Sequence, residues 1–234
     1  MNNKSLLKIG LGLGVGLVAG KLMYDYSQLN KKQKVRVLYK NWAWFYDSFL
    51  SPWNYFLANG AEKDLHDYLK KNMKKSLDIL DVACGTGVNY ARTKKLKLKV
   101  NSYTGIDLSP DMLSRAKEKA TEDKKTKFMI ADLFKLEPKK KFDLIYATWT
   151  FSHFKKPSEI VKKYLKFLKK GGKMVVIFQA RPSRFKLISN ITDAIMGFFE
   201  AKLVQESEIR KIQKNAVVSK KYVSGYIRMM VLER

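Results

Sequence analysis

The stretch Leu-Asp-Ile-Leu-Asp-Val-Ala-Cys-Gly-Thr-Gly, residues 77–87, decides the fold. Its first six residues are rich in branched apolar side chains and two glycines follow, which predicts a buried strand that ends in a tight turn. Gly85 and Gly87 carry no side chain, so the backbone can approach a ligand closely there. Ligands of open α/β sheets bind over the carboxyl ends of the strands, and the turn is therefore a candidate ligand site.

Three acidic residues also lie at or near the ends of predicted strands. Asp81 precedes the turn, Asp107 ends the run Tyr-Thr-Gly-Ile-Asp, and Asp132 ends the run Phe-Met-Ile-Ala-Asp. An aspartate at a strand end often serves only as a turn former or helix cap, but three of them beside a glycine turn favour a binding site. A dinucleotide-binding loop would carry a third glycine three residues after Gly87, and Tyr90 stands there instead.

Four segments of the chain resemble the ordered motifs of class I S-adenosylmethionine-dependent methyltransferases: Asp-Val-Ala-Cys-Gly-Thr-Gly, Gly-Ile-Asp-Leu-Ser-Pro-Asp-Met-Leu, Ala-Asp and Phe-Asp-Leu-Ile-Tyr-Ala. Four motifs in the right order are more specific than one. The resemblance extends from about residue 39 to the C-terminus. It implies S-adenosylmethionine as the cofactor and an α/β fold with a Rossmann-like, seven-stranded, mostly parallel sheet and helices on both faces.

The resemblance also implies a set of cofactor-binding residues. Asp81 and the glycine turn would hold the methionine portion, Asp107 would accept hydrogen bonds from the ribose hydroxyls, and Met112 would lie near the adenine. The family usually has glycine where this chain has Ala83. The complete predicted set is Asp81, Ala83, Gly85, Gly87, Asp107, Leu108, Met112, Asp132, Leu133 and Ala147.

Strand and helix patterns alternate after the turn, which predicts right-handed crossovers and a parallel sheet. The predicted helices span residues 88–96, 110–120 and 157–169, the last ended by Gly171-Gly172. Strands three to five are predicted at residues 128–131, 142–147 and 174–178, and residues 216–223 and 226–232 would add a final hairpin.

The charge balance is strongly basic, with 47 Lys and Arg against 21 Asp and Glu and a net charge of +26. Such a charge favours contact with an anionic membrane surface or nucleic acid, although it also keeps a surface solvated.

The single cysteine, Cys84, excludes a disulfide within the chain. The Cys and His spacings match no metal site, so no metal is predicted.

Residues 1–24 differ from the rest of the chain and are predicted to be an N-terminal membrane anchor. A glycine-rich apolar segment lies between Lys8 and Lys21, and residues 6–23 as a helix would span about 27 Å, close to the roughly 30 Å of a bilayer core. By the positive-inside rule, the lysines and arginine that follow this segment predict that the catalytic domain lies on the cytoplasmic side. Gly-x-x-x-Gly spacings permit a homodimer. A cleaved signal and an interfacial helix are the alternatives.

Residues 25–75 are aromatic and basic, and they predict a helical cap over the cofactor or a segment at the lipid headgroups. Tyr46-Asp47 resembles a Tyr-Asp pair of quinone-biosynthesis and phospholipid N-methyltransferases.

Tyr46 and His153 are the candidate catalytic residues. His153 follows the fourth strand and has an unperturbed pKa near neutrality, so it is the natural candidate for proton removal, with orientation of the loop or a plain helix start as the alternative roles.

Residues 76–234 form the predicted methyltransferase core, with an apolar insertion at residues 184–205 that suits a lid or a membrane-dipping helix. The favoured acceptor is therefore lipid-like, a phospholipid amine or a prenylated quinone precursor. The sequence after the fourth strand reads Ala-Thr-Trp-Thr rather than the Asn/Asp-Pro-Pro-Tyr/Phe of many amino-methylating nucleic-acid enzymes, which argues against nucleic acid. An RNA methyltransferase and a cofactor-binding scaffold without turnover remain alternatives.

Overall fold

The computed structural model describes residues 21, 24–43, 57–182, 186–197 and 200–234. Within them the strands are β1 Leu77–Val82, β2 Val100–Asp107, β3 Thr126–Ile130, β4 Phe142–Thr148, β5 Leu168–Gln179, β6 Ala216–Tyr222 and β7 Ile227–Leu232. The helices are α1 Lys31–Trp42, α2 Asn59–Asn72, α3 Val88–Lys95, α4 Pro110–Glu118, α5 Pro157–Leu165, α6 Lys186–Gly197 and α7 Glu206–Gln213. Short 3₁₀ helices occupy Phe151–His153 and Val223–Gly225.

All seven strands form one sheet in the order β3-β2-β1-β4-β5-β7-β6. Neighbours from β3 to β5 are parallel, and β7 runs antiparallel to both β5 and β6. The predicted seven-stranded, mostly parallel α/β sheet is thus confirmed. The strand order reverses between β1 and β4, and this switch point is where open α/β sheets bind their ligands.

Apolar side chains cover both faces of the sheet. One face buries Ile160 and Tyr164 of α5 and Ile209 of α7 against the strands. The opposite face buries residues of α2, α3 and α4, including Leu65 and Leu113. Because both faces are covered, the inner strands are buried on both sides, as β7 is along its whole length, including Arg228.

The predicted end of the fifth helix is wrong. Helix α5 ends at Leu165, and β5 begins at Leu168, which is fully buried and pairs with Phe142 of β4. Gly171 adopts a left-handed backbone with φ of 77° where the ladder shifts its register. A Cβ on Gly172 would lie 2.8 Å from the carbonyl oxygen of Phe142. The glycine pair therefore forms an irregularity inside a strand instead of a helix stop.

The N-terminal predictions fall mainly on residues that the structure does not describe. In the ranges it does describe, no helix is both long enough and apolar enough to cross a bilayer. Residues 1–20 and 22–23 of the predicted anchor lie outside the described residues, as do residues 44–56 with Tyr46. The anchor and the role of Tyr46 stay predictions.

Candidate active site

A cavity of about 570 Å³ lies over the carboxyl ends of β1, β2 and β4. This volume falls in the range of roughly 300–1,000 Å³ that is typical of small-molecule sites. The turn after β1 and the residues after β2 and β3 line one end, here called the cofactor end. The loop after β4 and helix α1 line the other, here called the acceptor end. The cavity thus occupies the switch point of the sheet.

Left-handed backbone conformations form the turn after β1. Ala83, Gly85 and Gly87 have φ values of 55°, 54° and 82°. A Cβ on Gly87 would lie 3.2 Å from the Cβ of Ala116, so this glycine lets α4 pack closely against the turn. A Cβ on Gly85 would meet nothing within 4 Å. Gly85 therefore presents its bare backbone to the cavity, which it lines together with Ala83.

Asp107 ties the turn to the end of β2. Its Oδ2 accepts a hydrogen bond of 2.9 Å from the backbone N–H of Gly85, and its Oδ1 accepts one of 2.8 Å from the N–H of Ser109. Burial raises the pKa of this carboxyl, while the backbone donors lower it. A carboxylate has about four acceptor positions, so Asp107 retains capacity to accept hydrogen bonds from a ligand.

Asp81 lies behind the cavity wall. Its side chain is fully buried and accepts hydrogen bonds from the Tyr103 hydroxyl at 2.6 Å and from Nδ2 of Asn89 at 2.8 Å. Burial raises the pKa of Asp81 to about 7. Asp81 is not among the residues that line the cavity, and it acts on the site through Asn89, which does line it.

The acceptor end contains a tyrosine and histidine pair. The Tyr39 hydroxyl and Nε2 of His153 share a hydrogen bond of 3.0 Å, and the two rings meet edge to face. Burial and then the charge of Lys31 lower the pKa of His153 to about 4. The imidazole is therefore neutral at neutral pH, which makes it a hydrogen-bonding partner and a weak general base.

Helix α1 brings Tyr39 to the cavity. Lys31, Val35 and Tyr39 are four residues apart and so share one face of the helix, which lines the cavity. The helix starts with a capping box, in which Asn30 accepts from the Gln33 N–H and the Gln33 side chain accepts from the Asn30 N–H. Tyr39 was not among the predicted site residues, although it shares this four-residue spacing with Lys31 and Val35.

A polar network supports both ends of the cavity from below. Trp149 lines the cavity with φ of 61°, and its Nε1 donates a hydrogen bond of 3.1 Å to Oε1 of Glu62 in α2. Glu62 also accepts from the buried Arg92 guanidinium, which donates to Asn89 as well. Asn89 in turn reaches Asp81 and Thr148. A single hydrogen-bonded chain thus joins the end of β1 and the start of α3 to the loop after β4.

The cavity gathers eight of the predicted site residues: Ala83, Gly85, Asp107, Leu108, Met112, Asp132, Leu133 and His153. Asp81, Gly87 and Ala147 do not line it, and Ala147 is fully buried in the core of the sheet. Among the described residues, no group of three or more His, Cys, Asp and Glu side chains could hold a metal ion.

These residues fit the cofactor that the resemblance implies. Asp107 places acceptor oxygens beside the open backbone of Gly85, as ribose hydroxyls and an ammonium group require. Leu108, Met112 and Leu133 supply apolar surface for a flat base next to them. The cofactor end thus offers polar acceptors and apolar walls in the arrangement that an adenosyl group needs.

Comparison with known proteins agrees with this geometry. The family described as methyltransferase domain matches residues 80–176. The chain is 28% identical over 162 residues to malonyl-[acyl-carrier protein] O-methyltransferase 1 of Ilyobacter polytropus, a match that covers 69% of this chain and 58% of that protein. It is 32% identical over 125 residues to phosphoethanolamine N-methyltransferase 1 of Arabidopsis thaliana, which covers 52% of this chain and 25% of that protein.

The chain therefore spans little more than half of the first relative and a quarter of the second. Its fold resembles magnesium protoporphyrin IX methyltransferase from Synechocystis PCC 6803, solved with bound SAH, with a TM-score of 0.56 at 19% identity over 88% of this chain and 89% of that one. The motifs, the sheet, the cavity and the matching family all lead to one assignment. Residues 80–176 match a methyltransferase domain, and the chain is similar to class I methyltransferases whose cofactor is S-adenosylmethionine.

Proposed function

We propose that this protein transfers a methyl group from S-adenosylmethionine to a small, lipid-like acceptor at a membrane surface. The favoured acceptors are a phospholipid amine and a prenylated quinone precursor. The observation that carries the proposal is a single cavity with cofactor-type residues at one end and aromatic, apolar walls at the other. The relatives support a small acceptor, since their names specify phosphoethanolamine and a malonyl group on a carrier protein.

S-adenosylmethionine supplies an electrophilic methyl group on a sulfonium. The protein must mainly align the acceptor with that methyl group and keep water away, because alignment alone supplies much of the rate. Asp107 and the turn at Gly85 would fix the ribose and the methionine portion at the cofactor end. Trp149 and Phe154 would orient the acceptor at the other end, with helix α1 excluding water above it.

His153 and Tyr39 would orient the acceptor atom. A neutral imidazole with a pKa near 4 cannot hold a proton for long at neutral pH, so His153 suits a hydrogen-bonding role better than permanent proton removal. The hydrogen bond to Tyr39 fixes the imidazole ring within the cavity. Such a pair can pass a proton toward solvent from an acceptor that loses one.

Apolar side chains near the cavity support the lipid-like acceptor. Phe134 lines the cavity, is 50% exposed and packs edge to face on Phe154. Ile130 at the end of β3 directly precedes Ala131, which lines the cavity, and is also more than half exposed. Exposed apolar surface beside a pocket is typical of proteins that take substrates from a lipid phase.

The apolar residues 6–23 and the net charge of +26 support attachment to an anionic membrane.

The deciding experiment follows labelled methyl groups from S-adenosylmethionine into host membrane extract, with separate lipid, RNA and protein fractions. The full chain is compared with Asp107→Ala. Label in the lipid fraction that disappears in the variant supports the proposal and makes the acceptor identifiable. Label in RNA would establish the RNA methyltransferase instead, and tight cofactor binding without any transfer would establish the scaffold.

Membrane attachment has its own test. Full-length protein is mixed with vesicles that contain anionic phospholipid and then floated on a density gradient. The double variant Leu13→Glu/Leu17→Glu interrupts the apolar segment and should lose flotation while it keeps cofactor affinity. Equal flotation of both proteins would show that residues 1–24 do not attach the chain.

A further inference from the structure

The acceptor end of the cavity carries an excess of positive charge. Four lysines line the cavity: Lys31, Lys32, Lys155 and Lys156. Lys32 forms an ion pair with Asp132, and Lys156 forms one of 3.1 Å with Glu159. Within the described part of the chain, neither Lys31 nor Lys155 has a carboxylate within ion-pair distance. Two cations therefore line the cavity without a close counter-charge from these residues.

Neighbouring groups make Lys31 an unfavourable cation. Its pKa is lowered, first by burial, and the charges of Lys155 and Lys202 lower it further, while Glu200 raises it. Among the described residues, the charge of Glu200 thus opposes the charges of two lysines at Lys31. The protein thus keeps cations close together at a pocket wall, where each additional charge costs free energy.

Among the described residues, the cavity charges that form no ion pair differ in sign between the two ends. Asp132 is paired with Lys32 and Glu159 is paired with Lys156, which leaves the Asp107 carboxylate at the cofactor end and Lys31 and Lys155 at the acceptor end. Lys155 is two residues beyond His153, and the charge of Lys31 reaches the imidazole of His153. An anion is repelled by the cofactor end and attracted by the acceptor end. The polarity of the cavity therefore fixes how an anionic molecule would enter it.

We propose that Lys31 and Lys155 bind an anionic group, a phosphate or a carboxylate, that the methyl acceptor carries near its reacting atom. This inference rests on the proposed function, since it names the chemistry of the acceptor at the same site. Lysine ammonium groups are compact charges with three donors each, and they commonly bind phosphate. The anionic group stabilises the acceptor by pairing with both cations, and its position directs the rest of the acceptor past His153 toward the cofactor end.

The test measures binding by full-length protein saturated with S-adenosylhomocysteine. Calorimetry compares three probes: octyl phosphate below its micelle concentration, octyl glucoside as a neutral probe with the same chain, and inorganic phosphate. We expect octyl phosphate to bind at least about tenfold more tightly than octyl glucoside. Comparable affinity of inorganic phosphate would indicate a small soluble acceptor, and much weaker phosphate binding would indicate a lipid headgroup. Both results support the anionic group.

A matched pair of variants completes the test. Lys31→Gln/Lys155→Gln should weaken octyl phosphate binding by about tenfold or more and leave octyl glucoside binding unchanged. Lys162→Gln/Lys166→Gln removes the same charge from exposed positions on and after α5 that do not line the cavity, and it should change neither. The inference is overturned if octyl phosphate binds no better than octyl glucoside, or if both variants lose the same affinity.

The cofactor measurement separates this inference from the proposed function. Absence of S-adenosylhomocysteine binding by the unchanged protein would refute the proposed function itself. Normal cofactor binding together with equal affinity for the charged and neutral probes would overturn only the anionic acceptor.

Discussion

The two ends of the cavity are built in different ways. At the cofactor end, the contacts that shape the site come from consecutive strand ends, with Asp107 holding Gly85 and Ser109 through backbone N–H groups. At the acceptor end, the walls come from distant parts of the chain, since the bond between Tyr39 and His153 spans 114 residues. The cofactor end is thus fixed by the sheet, whereas the acceptor end depends on helix α1 and loops docking onto it.

This difference has a physical consequence. Backbone geometry at strand ends changes little from one sheet of this topology to the next, so it suits a cofactor that many enzymes share. Side chains on a docked helix and a loop can be exchanged without disturbing the sheet, so they suit a varied acceptor. Glu62 joins the two ends, because it contacts both Trp149 at the acceptor end and Arg92 beneath the cofactor end.

The largest effect should follow removal of the Asp107 carboxylate. Asp107→Ala leaves the Gly85 and Ser109 N–H groups without their acceptor and removes the predicted ribose ligand. We expect the affinity for S-adenosylhomocysteine to fall by about 100-fold or more, equivalent to roughly 3 kcal/mol. Calorimetry measures this directly, with the exposed Glu122→Ala as control. A loss below about threefold would show that the cofactor end is not where the cofactor binds.

The next effect tests the residue that joins the two ends. Glu62→Gln keeps an acceptor for Trp149 but leaves the Arg92 guanidinium, whose side chain is only 3% exposed, without its counter-charge. We expect a loss of about 2–3 kcal/mol in the free energy of unfolding, measured in urea. Glu118→Gln breaks an exposed pair with Arg115 and should cost less than about 0.5 kcal/mol. Equal losses would show that the network contributes no more than a surface pair.

The cofactor end was readable from the sequence because its signals are local. Strand ends, glycines and the Ser109-Pro110 helix start stand next to each other in the chain, and Ser109 does cap α4 by accepting from the Met112 N–H. The helix end at Gly171-Gly172 was misjudged for the opposite reason. A glycine pair stops a helix or bends a strand, and only the tertiary pairing of Leu168 with Phe142 decides between them.

The acceptor end was harder to predict because its pairs are distant in sequence. His153 was found from its chemistry and its place after the fourth strand, whereas its partner Tyr39 and the support of Trp149 by Glu62 depend on how α1 and α2 dock. Asp81 shows that even a correctly predicted strand-end position does not tell whether the side chain faces the cavity. The sequence placed it correctly at the end of β1, but the burial that turns its carboxylate away from the cavity follows from Tyr103 and Asn89 on neighbouring elements.

A moderate effect separates the two glycines of the turn. Both have positive φ, which costs an L-residue roughly 1–2 kcal/mol, but only Gly87 would place a Cβ against Ala116. Gly87→Ala should therefore lower the free energy of unfolding by about 1 kcal/mol more than Gly85→Ala. Gly85→Ala should instead weaken S-adenosylhomocysteine binding more strongly, because Gly85 lines the cavity. The reverse pattern would show that Gly87 contacts the ligand.

The smallest effect concerns the pH dependence of His153. The pKa in the unfolded chain is about 6.5, and in the folded protein burial lowers it to about 4. Between these values the unfolded chain binds a proton that the folded protein does not, so wild-type stability falls as the pH drops from about 6.5 to 4. Because His153 as a whole residue is half-buried, we expect it to account for about 1 kcal/mol of this loss.

Urea titrations of wild type and His153→Gln at several pH values measure that contribution. The other histidine, His66, is common to both proteins, so the difference between the two curves isolates His153. The stability advantage of wild type over the variant should shrink as the pH falls below about 6.5. A constant difference would mean that His153 titrates with the same pKa in both states. Its folded-state pKa would then lie near 6.5, and His153 could act as a general base at neutral pH instead of only as a hydrogen-bonding partner.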